Sequence, residues 1–312
     1  MSFSSETKRE LCQCSSKGDC CKLAELAAFI HGIGTLRIGR GGQSVWMTTE
    51  VPAVARRIFS LCKTCFGTTP EVRTQLRKRL GKRNVYHVVI GPQAAPQILD
   101  QTGLMMQTDQ GVRISRAVPS ALVRKSCCRN AYLRGAFLAT GTLSDPGKGY
   151  HLEITSSAEE YARSLVTLLG RMEIPAKMVP RRDSFVVYLK ESELIVTCLG
   201  LMGAHSAMME LENVRIKKNM RNNVNRAANC DNANVDKTMD AAQRQIEAIE
   251  AIERGMGLRK LPLHLSAMAR VRVEHPDSPL KELGEYFDPP ISKSAVNNRL
   301  RKLMEIARDM QQ

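Results

Sequence analysis

The chain is short of aromatic residues, with one Trp, six Tyr and seven Phe making up 4% of 312 positions. Single-stranded bases are held largely by stacking on aromatic rings, so an RNA-binding scaffold is poorly supported. No run approaches the roughly 20 apolar residues that a membrane-spanning helix needs. The opening Met1-Ser2-Phe3-Ser4-Ser5-Glu6 lacks the apolar core of a secretion signal, which makes the cytoplasm the expected compartment. Without an export signal, the ten cysteines are expected as free, mostly buried thiols rather than disulfides. Cys62-x-x-Cys65 has the spacing of half a zinc site, but no second pair follows at a typical interval. Acid is scarce as well: 31 Asp and Glu against 46 Lys and Arg leave a net charge of +15. That surplus favours a polyanionic partner, nucleic acid ahead of a membrane surface. At this length a single core has usually stopped growing, and two domains joined by a linker are expected.

What is present is a repeat. Shifting the sequence by 107 residues aligns Cys20-Cys21-Lys22-Leu23-Ala24-Glu25-Leu26 with Cys127-Cys128-Arg129-Asn130-Ala131-Tyr132-Leu133, and Gly34-Thr35-Leu36 with Gly141-Thr142-Leu143. From Cys20 to Leu61 there are 12 identities in 42 positions without a gap, far above chance, and this marks a duplication. Each copy reads as an apolar helix, a glycine-marked turn, an extended segment and a second helix, Val51 to Phe66 or Ser157 to Leu169. A strand follows, Val85 to Ile90 or Phe185 to Leu189, and a closing helix near Gln97 to Leu104 or Ser192 to Met202. The repeated Cys-Cys step opens the same helix twice. Adjacent side chains on a helix diverge by about 100°, so a packing role is preferred over a shared metal, and no metal or other cofactor is expected.

The first helices, Leu26-Ala27-Ala28-Phe29-Ile30-His31-Gly32-Ile33-Gly34 and Leu133-Arg134-Gly135-Ala136-Phe137-Leu138-Ala139-Thr140-Gly141, resemble degenerate copies of the LAGLIDADG motif of homing endonucleases. Small residues at Ala27, Ala28, Gly135 and Ala139 would let two helix backbones approach across a pseudo-two-fold axis. The resemblance implies a saddle of β-strands lying on duplex DNA. It also implies an acidic residue before the last glycine of each helix, to hold the divalent metals of phosphodiester cleavage. Ile33 and Thr140 occupy those positions. Asp145 and Glu153 lie nearby, but their repeat mates are Ile38 and Trp46, so no symmetric acidic pair replaces the lost one. The scaffold without its activity is therefore expected, an active LAGLIDADG-type endonuclease being the alternative.

Two basic groups stand out in this domain: Arg73, Arg77, Lys78, Arg79, Lys82 and Arg83 between two expected elements, and Arg113, Arg116, Arg124, Lys125, Arg129 and Arg134 in an acid-free stretch. They suit phosphates or a solvated loop equally. The surface is open to two readings, DNA or a regulatory protein partner.

After Glu212 the chain turns basic and rich in Asn through Val214 to Arg226, which reads as a boundary and connector. A helix is expected from about Lys237 to Glu253, with Met239, Ala242, Ile246, Ile249 and Ile252 on its apolar stripe. Ser266 to His275 then reads as a helix stopped by Pro276, Ser278 and Pro279 as the cap and first position of a second, and Ser292 as the opening of a third. Val296, Leu300, Leu303 and Ala307 fall in one narrow arc of that third helix, opposite a polar, basic face. Three short helices with tight turns match a helix-turn-helix, with the start of the last helix in the major groove of double-stranded DNA. Ser294, Asn297, Asn298 and Arg301 are the candidates for base edges, and Lys281, Ser292, Lys293, Arg299 and Lys302 for phosphates.

Together the halves resemble the WhiA family of bacterial regulators, which joins a degenerate LAGLIDADG-like domain to a C-terminal helix-turn-helix. The resemblance rests on Cys20 to Leu36, Cys127 to Leu143, Asn213 to Lys237 and Pro279 to Ile306. It implies a nucleoid-associated transcriptional regulator of cell division, chromosome segregation and sporulation. The expected fold class is α+β: a tail over 1–17, a duplicated domain over 18–212 (repeats about 20–118 and 127–210), a basic Asn-rich linker and helix over 213–257, and an all-α helix-turn-helix domain over 258–312.

Overall fold

A computed structural model describes residues 2–16, 18–39, 41–77, 83–108 and 111–310. The chain divides into two units, 1–218 and 219–312.

The duplication is visible as two chain paths that match from the first helix to the closing helix. In the first copy, helix α2 (Asp19–Ile33) leads into strands β1 (Gly34–Gly39) and β2 (Gly42–Thr49), helix α3 (Pro52–Phe66), strands β3 (Glu71–Arg77) and β4 (Arg83–Ile90), and helix α4 (Ala95–Gln101). A hairpin, β5 (Met105–Thr108) and β6 (Gly111–Ile114), closes that copy. The second copy runs α5 (Ser126–Thr140), β7 (Gly141–Leu143), β8 (Leu152–Ser156), α6 (Glu159–Gly170), β9 (Lys177–Arg181), β10 (Ser184–Leu189) and α7 (Ser192–Met202). The antiparallel sheets have the same strand order, β1-β2-β4-β3 and β7-β8-β10-β9. Met47 pairs with Val88 and its repeat mate Ile154 with Val187, so the ungapped offset of 107 has fallen to 99 by the third paired strand. The expected extended segment is in fact two strands in each copy. The closing helix of the first copy starts two residues before Gln97 and ends at Gln101.

The close approach expected of α2 and α5 is present. A Cβ built on Gly135 would lie 2.5 Å from the Glu25 carbonyl oxygen and 2.9 Å from Ala28 Cβ, so only glycine lets the backbones come this near. Leu26, Ala27, Phe29, Leu133 and Phe137 around the crossing are fully buried.

The N-terminal segment departs from the expectation of a tail. It forms helix α1 (Phe3–Gln13), whose Leu11 is fully buried. The Glu10 carboxylate accepts from the backbone N–H of Ser206 (2.7 Å) and Ala207 (3.1 Å), in the first turn of helix α8 (His205–Gly255). Of the first basic group, Arg73 and Arg77 lie on β3 and Arg83 opens β4; Lys78, Arg79 and Lys82 fall outside the described residues.

The segment read as a connector is also helical: α8 runs through 213–237 without a break. Asn is only a moderately poor helix former, and 51 residues of continuous hydrogen bonding outweigh it. Met239, expected on the apolar stripe, is exposed, whereas Ala242, Ile249 and Ile252 are buried.

The second unit adds α9 (Leu263–Glu274), α10 (Leu280–Glu285) and α11 (Lys293–Asp309). Its core joins Ile249 and Ile252 to Leu265, Met268, Leu283, Val296, Leu300 and Leu303.

A candidate DNA-reading face on the C-terminal unit

Two backbone devices and one buried charge set the corner between α9, α10 and α11. Arg272 is 2% exposed, and its guanidinium donates to the carbonyls of Ser278 (2.9 Å) and Pro276, tying down the α9–α10 turn. Desolvation lowers its pKa from the ordinary arginine value. Ile291 N–H donates to the Gly284 carbonyl at 3.0 Å, drawing the start of α11 against α10. Ser292 then caps α11, its hydroxyl accepting from Ala295 N–H at 3.2 Å. The cap of α10 differs from the one expected from sequence. Pro279 occupies the cap position, the helix begins at Leu280, and Ser278 supplies its carbonyl to Arg272. Helix α9 starts three residues before Ser266.

Val296, Leu300, Leu303 and Ala307 are the buried residues of α11. That burial turns Ser294, Asn297, Asn298 and Arg301, spaced i, i+3, i+4, i+7, to solvent on one stripe. Lys281, Ser292, Lys293 and Lys302 are also exposed. Lys281, Lys293 and Asn297 line one groove of about 460 Å³ with Lys237 and Gln245. Arg299 stands apart: it is half-buried, with its guanidinium 5.2 Å from the centre of the Phe287 ring. That stacking and the roles of Arg272 and Gly284 are not legible in the sequence, because each depends on a neighbour reached only through the turn.

One acid sits among these cations. Glu305 lies 3.7 Å from Arg301 Nε and 3.4 Å from Lys302 Nζ. Both pairs are solvent-exposed and weak, and they compete with any anion for the same two charges. Glu305→Gln is expected to strengthen DNA binding about two- to fivefold at low salt and to have a smaller effect as salt rises. Fluorescence anisotropy over a salt series checks this, and an unchanged or weakened affinity would refute it.

At the ends of the two central helices, Ile33 is half-buried and packs against the core, and the Thr140 hydroxyl is buried with no hydrogen-bond partner among the described residues. Asp145 and Glu153 are occupied elsewhere. Asp145 accepts from Gly147 N–H at 2.8 Å within a turn, and Glu153 lies 2.6 Å from His151 and 3.5 Å from Arg181.

Family models match the chain in three consecutive segments: the WhiA N-terminal LAGLIDADG-like domain over 19–105, the WhiA LAGLIDADG-like domain over 129–221 and the WhiA C-terminal HTH domain over 224–307. A probable cell division protein WhiA of Alkaliphilus oremlandii is 48% identical over 100% of this chain and 98% of its own length. The chain belongs to the WhiA family. A second relative with the same name, from Alkaliphilus metalliredigens, is 45% identical over 98% of each chain. Among solved structures, full-length DUF199/WhiA from Thermatoga maritima superposes with a TM-score of 0.61 at 24% identity, covering 99% of both chains, which shows a shared fold. The WhiA chain described here is thus α+β, a pseudo-two-fold LAGLIDADG-like domain followed by a helix-turn-helix, and the family reading from sequence holds. No helix is long and apolar enough to cross a membrane among the described residues.

The ten cysteines are all free thiols. Burial pushes Cys62 and Cys198 up to about 12, as expected of packed thiols. Packing fits Cys21 and Cys128, which are buried, but not Cys20 and Cys127, which are exposed. The divergence of neighbouring side chains holds within one helix; pairing α2 with α5 brings the two Cys-Cys steps together.

Proposed function

We propose that this WhiA protein binds double-stranded DNA in a sequence-dependent way as a transcriptional regulator of cell division, reading bases with α11 and holding phosphates around it. The observation that carries the reading is the exposed stripe Ser294, Asn297, Asn298 and Arg301 on a helix whose opposite face is buried. Asn presents a donor and acceptor that match adenine, and Arg presents a fork that matches guanine. Lys281, Lys293 and Lys302 neutralise phosphates and the Ser292 hydroxyl hydrogen-bonds one, with Arg299 steadied by Phe287. The link to cell division comes from the names of the relatives.

The repeat domain acts without nuclease chemistry, since Ile33 and Thr140 offer no carboxylate at the helix ends. Its sheet faces are left for DNA backbone or a regulatory protein. The first carries Arg37 stacked 3.8 Å over Trp46.

Genome-wide mapping of bound sites tests the assignment, comparing the full chain with Arg301→Ala and Lys302→Ala. Arg301→Ala is expected to relax base preference, losing about 1–3 kcal/mol of discrimination at one position. Lys302→Ala is expected to weaken all sites uniformly and to lower the salt slope by about one. Indistinguishable profiles would overturn the division of roles, and Mg²⁺-dependent cleavage of duplex DNA by the purified chain would overturn the non-enzymatic reading.

A further inference from the structure

Where α2 and α5 begin, Cys20, Cys21, Cys127 and Cys128 bring four sulfur atoms within 4.8 Å of one another. Cys127 Sγ and Cys128 Sγ are 4.0 Å apart. Each helix contributes the second and third residues of its first turn, since α2 starts at Asp19 and α5 at Ser126. The four positions are related by the repeat offset of 107. A tetrahedral thiolate site with metal–sulfur bonds of about 2.3 Å holds its sulfurs about 3.8 Å apart, so side-chain rotation alone closes the remaining gap. Four irons in a cubane cluster would need the thiolates spread farther than this.

We propose that the four cysteines bind one Zn²⁺, stapling the two repeats together at the start of their central helices. Each helix supplies two ligands, which satisfies the tetrahedron without His or carboxylate. Binding replaces four thiol protons, released to solvent, by one divalent cation, and leaves the site with a net charge of −2. Neither helix has a side-chain hydrogen-bond cap among the described residues, and the positive end of each helix dipole, which lies at this end of the helix, stabilises the charge. Lys125, at the cap position of α5 two residues before Cys127, adds a cation to this end of the helix. The exposed pair, Cys20 and Cys127, gives the ion its entry path, while Cys21 and Cys128 hold the inner side in the core. A packing role explains only the inner two. Helices α2 and α5 form the pseudo-symmetry axis, so a staple there fixes the angle between the two sheets, and with it the domain's whole outer surface.

The test uses the full-length chain, purified with its thiols reduced. Bound zinc is quantified per chain, and Co²⁺ is titrated into the metal-stripped protein to read the charge-transfer and d–d bands of tetrahedral thiolate coordination. One equivalent of zinc and that spectrum are expected. The double variant Cys20→Ser/Cys127→Ser, which touches only exposed thiols and keeps the core intact, is expected to lose the spectrum and weaken metal affinity by at least roughly 100-fold. Circular dichroism confirms that it is folded, and Cys65→Ser, which leaves the cluster whole, is expected to bind as the parent does. The proposal is overturned if the reduced parent shows no thiolate–Co²⁺ bands, if the double variant keeps them, or if Cys65→Ser abolishes them.

Discussion

Glu25→Ala is expected to cost the repeat domain about 3–5 kcal/mol, the loss typical of a buried ion network stripped of the anion its cations share. The Glu25 side chain is fully buried and binds two arginines. Arg57 donates to it at 2.7 and 2.9 Å, and Arg134 at 3.2 and 2.8 Å. Ser16 donates to the same carboxylate at 3.1 Å and accepts from both guanidiniums, at 3.0 Å from Arg57 and 3.1 Å from Arg134. Arg134 also donates to the Met202 carbonyl at 3.0 Å, which links α5 to the end of α7. Desolvation works against the Arg57 charge, and the Glu25 carboxylate more than offsets it, leaving the guanidinium above its ordinary value. Removing Glu25 leaves two cations in a low-dielectric interior facing each other. Urea denaturation of the full chain, following the transition of the repeat domain, measures the change. A loss under about 1 kcal/mol would show that water enters and solvates the arginines. The triple replacement Glu25→Leu, Arg57→Met and Arg134→Met is expected to recover most of the stability, because apolar residues of similar volume remove all three desolvation costs together.

Gly284→Ala is expected to be the most damaging single methyl group in the C-terminal unit. Its Cβ would lie 2.2 Å from the Ile291 carbonyl oxygen and 3.4 Å from Val296 Cγ2. The obstacle is backbone, so no side-chain rotation relieves it, and α10 and α11 must separate. Overpacking of this kind costs about 1–3 kcal/mol or more, and the displaced start of α11 carries the proposed base-reading residues with it. DNA affinity is expected to fall by roughly tenfold or more, about 1.4 kcal/mol, at every site rather than at one base position. The unit's unfolding midpoint should fall in parallel. A variant that kept both would mean the corner tolerates a wider turn and that the glycine is incidental.

Much of this is legible in the sequence alone. The ungapped repeat from Cys20 to Leu61 fixed the first two elements of each copy, because helix length and glycine position are local and were both retained. The arc Val296, Leu300, Leu303 and Ala307 marked the buried face of α11, since helical periodicity sorts residues by face without reference to a partner. What escaped was of two kinds. Segments with polar composition, Phe3–Gln13 and the Asn-rich stretch after Glu212, read as tail and connector but are helical; weak intrinsic propensity is overridden when a helix end is capped by another element, as Glu10 caps α8. The asymmetric network around Glu25 also escaped, because the repeat mates of Glu25, Arg57 and Arg134 are Tyr132, Ser164 and Ala27. A comparison of the two copies shows that these positions differ, not that they meet.

By itself the sequence determined that a doubled α+β unit precedes a three-helix helix-turn-helix unit, and that the acids implied by the LAGLIDADG resemblance are absent at Ile33 and Thr140, because repeat offset, periodicity and residue type are properties of the chain alone. Only the tertiary structure decided that four thiols from distant helices converge, that one buried carboxylate serves two arginines, and that a glycine sets the helix-turn-helix corner. Each of those is a distance between groups far apart along the chain, fixed by how closely the helix backbones pack.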